Sequence, residues 1–261
     1  MDFKKLYTVV EIQDKELLKP WILEKHYAKR LPSVIFPFGL YDLKEKDFCG
    51  ICTYGMPAPK MNYGKSFFND LKINTYELTR LVINEGLPKN ILSFFVSQTF
   101  KFLKKPVCIV SFADPNKGHN GYIYQATNWL YTGLSQKGGK SKHWILNGRD
   151  FHGKNVTVKK MKKLFLNFDN SKTLKDNWIL NGGEIIEEKQ KHRYIMLLGT
   201  KKEKKEMINK LKVNVLPYPK GDNKNYECPD IKYGKVYYKD KKNNYYDHIN
   251  KVNKLFFNME K

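Results

Sequence analysis

Residues 107–113 read Val-Cys-Ile-Val-Ser-Phe-Ala, an apolar, β-branched run held between Pro106 and Asp114. A strand that is apolar on both alternating faces belongs in the middle of a sheet covered on both sides. Toward the N-terminus, Asn90 precedes Ile91, Leu92, Phe95, Val96, Phe102 and Leu103, an apolar stripe at helical spacing that Pro106 stops. Tyr76–Asn84 is the strand before that helix, joined to it by Glu85–Lys89. Val34–Tyr41 and Phe48–Tyr54 pair as a hairpin across the polar turn Asp42–Asp47. Leu6–Ile12 is a first short strand, after which Asp14 caps a helix reaching about Tyr27. Toward the C-terminus, Gly121–Asn128 is a short helix and Trp129–Thr132 opens another strand. The order β-α-β-β-β-α-β-α-β predicts an α/β fold with a mixed central sheet flanked by helices. It fits neither a doubly wound sheet nor a TIM barrel.

The second half is expected to be an α+β extension. Gln136–Lys140 (QKGGK) reads as a linker, and Trp144-Ile-Leu-Asn-Gly148 recurs as Trp178-Ile-Leu-Asn-Gly182. Each copy is read as a short strand ended by Asn-Gly, the favoured hairpin dipeptide, giving two similar hairpins rather than a duplication. Between them Val156–Phe168 predicts an amphipathic helix with Val158, Met161, Leu164, Phe165 and Phe168 inward and Lys159, Lys160, Lys162 and Lys163 outward. Arg193–Leu198 is a further strand, Lys201–Leu211 a basic helix and Val215–Pro219 an extended segment. Three parts follow: a core over 1–135, a basic extension over 136–221 packed on it, and a Lys/Asn/Tyr-rich segment over 222–261 with a final helix near His248–Phe257.

The formal net charge is +22, unevenly placed: +6 on residues 1–135 and +16 on 136–261. An AT-rich coding sequence explains the excess of Lys over Arg but not this asymmetry. Nucleic acid is the partner such a charge predicts, because neutralised phosphates release counterions. Tyr237, Tyr238, Tyr245 and Tyr246 interleave with the basic residues, as in surfaces that stack bases. Arg149 and Arg193 join the four helix lysines as candidate DNA contacts, although a solvated face accounts for such lysines equally well. Four cysteines include a Cys49-x-x-Cys52 pair in a strand, where positions three apart face opposite sides. Two buried thiols in a reducing compartment fit better than zinc or redox chemistry. No apolar run approaches the about 20 residues of a membrane span, so a soluble, cytoplasmic protein is expected.

Three places carry candidate chemistry. His26-Tyr27 ends the first helix, where the dipole alone favours a histidine. Asp114 follows the buried strand, where α/β sheets present ligands, and capping the next helix is its alternative role. Tyr124, ten residues on and one helical turn from Asn128, offers a phenol that could protonate a leaving group. Packing against the sheet is the plainer account of that ring.

These same places carry a resemblance. His26-Tyr27, Glu77–Ile83 (ELTRLVI), Ser111–Trp129 (SFADPNKGHNGYIYQATNW) and Lys191–Gly221 (KHRYIMLLG…LPYPKG) resemble the phage Mom family of DNA-modifying proteins. The element order looks like the GNAT acyltransferase fold. The match spans most of residues 20–221 and is loose over 140–190. It implies conversion of adenine N6 in double-stranded DNA to a methylcarbamoylamino group, protecting phage DNA from restriction in the host cytoplasm. His26, Tyr27, Asp114 and Tyr124 fall on the family's active-site positions. Ser93, with Lys89 and Asn90, falls where such folds bind the cofactor pyrophosphate. The implied donor is of the acyl or carbamoyl class, acyl-CoA (acetyl-CoA) among them, and an iron or zinc ion held by His26 is a further option. One departure bears on the donor: Glu85-Gly-Leu-Pro-Lys-Asn90 has one Gly and a Pro where GNAT enzymes carry Gln/Arg-x-x-Gly-x-Gly/Ala. A helix N-terminus still binds phosphate through its free N–H groups. An adenine inside a duplex must be flipped to reach such a pocket. The oligomeric state stays open, a dimer among the options. Two rivals are an acyltransferase acting on a protein or small amine, and a DNA-binding protein without catalysis.

Overall fold

The computed structural model describes residues 2–115, 118–135, 141–153, 156–188 and 190–219. A seven-stranded sheet contains β1 (Tyr7–Glu11), β2 (Phe36–Asp42), β3 (Asp47–Gly55), β4 (Asn74–Ile83), β5 (Val107–Ala113), β6 (Leu130–Leu134) and β10 (His192–Leu198), in the order β1-β2-β3-β4-β5-β10-β6. Only β4 and β5 pair in parallel, joined by the crossover helix α1 (Ile91–Thr99), while every other neighbour is antiparallel. This is the expected mixed sheet flanked by helices.

Alternation along the strands places apolar residues on both faces of the sheet. Val107, Ile109, Tyr131, Tyr194 and Met196 face α1 and α2 (Tyr122–Ala126). Cys108, Val110, Leu130, Ile195 and Leu197 face the other side, covered by Met61, Phe67, Phe68 and α5 (Lys201–Asn209). β5 is buried on both faces, as its composition requires.

The β4–β5 ladder is short. It runs from Asn74↔Val107 to Glu77↔Val110 and stops, although β4 continues to Ile83 and β5 to Ala113. The sheet therefore splits along its middle, at the C-terminal ends of its parallel pair. On the opposite edge of β4 the register to β3 jumps from Thr53↔Arg80 to Tyr54↔Leu78, leaving Thr79 as an extra residue. Such a bulge re-aims the side chains beside it.

Several expectations change. The helix expected from Asp14 to Tyr27 is a 3₁₀ turn (Lys15–Leu17) followed by a π-helical segment (Pro20–Lys25), closed by His26 N–H to Trp21 O at 2.9 Å. Pro20 lacks an N–H and cannot continue an α-helix from the preceding turn. Helix α1 ends at Thr99, before Phe102 and Leu103, and Asn90 precedes it in a left-handed conformation (φ +72°) without a side-chain cap.

β10 lies between β5 and β6 and belongs to the main sheet. The core expected to end at 135 therefore resumes at His192 and runs on through Val213, Val215 and Leu216, which are buried in it. The separate small sheet is β8-β7-β9, from β7 (Ser141–Leu146), β8 (Arg149–His152) and β9 (Glu184–Glu188). Helices α3 (Val158–Leu164) and α4 (Leu174–Leu180) cover it, around a core of Leu146, Val156, Met161, Phe165 and Trp178.

The Trp144 copy forms the expected hairpin β7–β8, but Trp178-Ile-Leu is helix α4. Thr173 caps that helix by accepting from Asp176 N–H, and helix places Trp178 at the centre of the small core with 0% exposure. Val158 and Leu164, expected inward on α3, face solvent, because a seven-residue helix buries only its Met161 face. The linker reading at 136–140, the segment 222–261 and its helix near 248–257 lie outside the described residues.

Candidate active site

The split between β4 and β5 is bridged at its root. Ser111 Oγ donates to Leu78 O across the gap at 3.0 Å, and Tyr124 OH lies 2.7 Å from the same Oγ. With the serine proton directed to Leu78 O, the phenol donates to Ser111. Burial pushes the Tyr124 pKa up, the Ser111 contact pulling the other way, so the phenol keeps its proton at neutral pH. Its ring packs on Trp129 and Tyr194, centroids 5.0 and 5.1 Å away.

The α2 start is held against β10. Tyr194 OH donates to Asn120 O at 2.5 Å, and Gln125 Nε2 donates to both Asn120 O and Tyr194 OH. Gly121 has φ +82°, and a Cβ there would lie 2.3 Å from the Tyr194 ring. Only glycine satisfies both conditions.

Asp114 ends β5, 3% exposed, with its Oδ2 2.9 Å from Lys191 Nζ. A buried carboxylate requires such a partner. Lys191 immediately precedes β10, and its backbone is clamped to the end of β6: Ser135 N–H donates to Lys191 O at 2.8 Å, and Lys191 N–H to Ser135 Oγ at 3.3 Å. The chain thus leaves for the small unit at Ser135 and returns at Lys191, beside the buried acid.

His26 and Tyr27 stack, centroids 4.3 Å apart, and Tyr27 approaches the His119 ring at 5.6 Å. The His26 pKa is pushed down to about 4 by burial, then by the charges of Arg80 and His119, so the ring is neutral at pH 7. Burial raises the Tyr27 pKa. Lys191 opposes this, Asp114 reinforces it and Arg80 opposes it, which puts Tyr27 in the field of the Asp114–Lys191 pair.

Arg80, directed inward beside the Thr79 bulge, is 8% exposed and donates to Thr79 O and to Arg30 O, both at 2.6 Å. It ties β4 to the segment just after His26-Tyr27. Tyr124 is thus held by Ser111, while His26 and Tyr27 lie with His119, Arg80 and the Asp114–Lys191 pair; sequence reasoning gave no role of their own to Ser111, Arg80, His119 or Lys191. An arginine inside the apolar run ELTRLVI and a lysine at the edge of a buried strand were the available signals.

The metal reading of His26 does not fit. Its Nδ1 accepts from Ala28 N–H at 3.0 Å, and among the described residues no group of three or more His, Cys, Asp or Glu could hold a metal ion. Cys49 and Cys52 are buried free thiols whose pKa values burial raises to about 11 and about 12, which suits neither thiolate ligation nor redox exchange.

Lys89 and Asn90 are exposed at the start of α1, where Ser93 Oγ donates to Asn90 O at 2.9 Å. Four N–H groups at a helix start lack intrahelical partners and suit an anionic group. Lys159, Lys160, Lys162, Lys163 and Arg149 are exposed on the small unit. Arg193, expected among the DNA contacts, is 2% exposed within β10, with Nε and Nη2 donating to Thr132 Oγ1 and Thr132 O. Alternation along a strand buried on both faces sent it into the core, over the Phe67 ring. No helix of the described residues is long and apolar enough to cross a membrane.

The chain is 25% identical over 214 residues to the methylcarbamoylase Mom of Escherichia phage Mu, covering 78% of this chain and 80% of that one. Among solved structures it is similar to Arabidopsis thaliana NAA60 in complex with acetyl-CoA, at 9% identity and TM-score 0.44, covering 74% of this chain and 99% of that one. It is also similar to a putative acetyltransferase from Acinetobacter baylyi, at 12% identity and TM-score 0.41, covering 74% of this chain and 92% of that one. The family model of the Mom protein family matches residues 7–220, through every described strand and helix of both sheets from β1 onward, and the chain belongs to that family.

Proposed function

We propose that this protein is a DNA-modifying transferase that converts adenine N6 to a methylcarbamoylamino-type derivative, and that in a phage the modified DNA resists restriction. The observation that carries the reading is the buried Asp114 carboxylate, paired with Lys191 at the end of β5, three residues after the Ser111 that holds Tyr124. Its context is a chain related over most of its length to a methylcarbamoylase.

Adenine N6 is a weak nucleophile that must lose a proton as it reacts. Asp114 accepts that proton while the bond from N6 to the transferred carbon forms. The bond to the donor's leaving group breaks, and Tyr124, kept protonated by burial, turns its O–H from Ser111 and supplies its proton to that group. His26 is neutral and, with Tyr27, offers a half-exposed aromatic face against which a flipped base can stack. The donor is of the acyl or carbamoyl class. An acyl-CoA would set its pyrophosphate at Lys89, Asn90 and the first turn of α1 near Ser93. Arg149 and the α3 lysines would hold the DNA backbone.

The test is mass spectrometry of nucleosides from DNA of cells expressing the protein. Wild type yields a modified adenosine, and Asp114→Ala yields none while still binding duplex DNA. An unmodified digest from wild type, or an unchanged digest from Asp114→Ala, refutes the reading.

A further inference from the structure

The small unit carries an apolar surface that the proposed chemistry does not use. Phe165 turns into its core, 5.7 Å from Trp178, while the next residue, Leu166, is fully exposed at 103%. Leu164, Ile179 and Leu180 on the adjoining helix ends are 46%, 51% and 64% exposed. The segment that presents Leu166 is held rather than loose. Phe165 N–H donates to Met161 O at 2.8 Å, and Asn181 Nδ2 reaches Asn167 O at 3.5 Å. The buried Asn177 accepts from Asp169 N–H at 2.7 Å and donates to Asp169 O at 2.8 Å. A leucine is thus displayed whole, with a buried anchor on each side of it.

The surroundings say what it meets. Helix α3, which ends two residues earlier, holds Lys159, Lys160, Lys162 and Lys163 on its exposed face and no acidic residue. The chain carries +22, so a second copy would bring like charge to the same place. A partner that accepts lysines around an apolar tip is a nucleic-acid duplex, anionic outside and apolar between its stacked bases. Proteins that kink or open a duplex insert such side chains between base steps.

Resting on the DNA-modifying reading above, we propose that Leu166 is a wedge that enters the base stack of duplex DNA. The α3 lysines seat the backbone while the leucine unstacks a step, lowering the cost of extruding the adenine. The root of the small unit, Ser135 and Lys191, lies beside Asp114, so the unit that opens the duplex hangs from the site that would receive the base.

Relaxation of closed-circular plasmid by topoisomerase in the presence of the protein reads partial intercalation without knowledge of the target sequence. Wild type and Leu166→Met should shift the topoisomer distribution, while Leu166→Ala shifts it at least about fivefold less at equal occupancy. Duplex affinity should change less than about threefold, because the backbone contacts remain. Leu166→Ala cannot unfold the unit by loss of packing, since the side chain is wholly exposed. An equal topoisomer shift from wild type and Leu166→Ala overturns the wedge while leaving the DNA reading intact. So does sedimentation of wild type as a dimer that Leu166→Lys dissociates. Absence of duplex binding by wild type overturns both.

Discussion

Trp178→Ala should unfold the small unit and leave the main sheet standing. Trp178 is 0% exposed, stacks edge-on against Trp144, Phe151 and Phe165, and donates through Nε1 to Ile145 O and Glu184 O, both at 3.1 Å. Removing a buried tryptophan costs about 3–5 kcal/mol. At about 0.05–0.15 kcal/mol per residue, a unit of the size of residues 141–188 holds only about 2–7 kcal/mol in total. The loss therefore matches what the unit has. The main sheet does not share the cost, because none of the Trp178 partners belongs to its core clusters. Hydrogen exchange read by mass spectrometry should show residues 141–188 deprotected and 107–113 unchanged, and duplex affinity should fall with the protection. Trp178→Phe, which keeps most of the volume, should fall between. Equal deprotection of 107–113 would refute the independence of the two cores, and full protection of 141–188 would refute the assignment of Trp178 as its centre.

Lys191→Met should cut formation of the modified adenosine at least about tenfold by taking the Lys191 ammonium away from the buried Asp114 carboxylate, and Lys191→Arg should restore most of it; equal loss in both variants would show that charge is not what Lys191 supplies. His192 is buried, and burial pushes its pKa down from 6.5 to about 4, so the unfolded chain binds the proton first as pH falls. The His192 contribution to stability should thus be level above pH 6.5 and decline toward pH 4, by about 3 kcal/mol at about 1.36 kcal/mol per pKa unit; chemical denaturation at pH 7 and pH 4.5 should show His192→Gln losing less than wild type. Replacing Lys159, Lys160, Lys162 and Lys163 by Gln should lower the slope of log affinity against log salt by up to about 3.6, at about 0.9 per phosphate contact; an unaltered slope would remove α3 from the interface.

The strands of the first 135 residues and the helices α1 and α2 were legible in order and type, because strand runs such as VCIVSFA and the Ile91–Val96 stripe carry their period in the sequence; the Asp14–Tyr27 segment was not, because its mixed 3₁₀ and π turns keep a helical apolar spacing. Composition alone also located the positive charge. Two things were not local. Trp178-Ile-Leu-Asn-Gly182 repeats Trp144-Ile-Leu-Asn-Gly148 residue for residue, yet one is helix and the other strand. Five residues do not choose between the two; the Thr173 cap and the small core around Trp178 do. Likewise β10 has an ordinary strand pattern, and nothing in it says that it inserts between β5 and β6.

That insertion decides the site. It buries Arg193, which charge alone placed on the surface, and it brings Lys191 to Asp114 across 77 positions of sequence. A carboxylate at the end of a buried strand could be recognised as a candidate from sequence. Its counterion could not, because the partner of a buried charge is chosen by which strand completes the sheet.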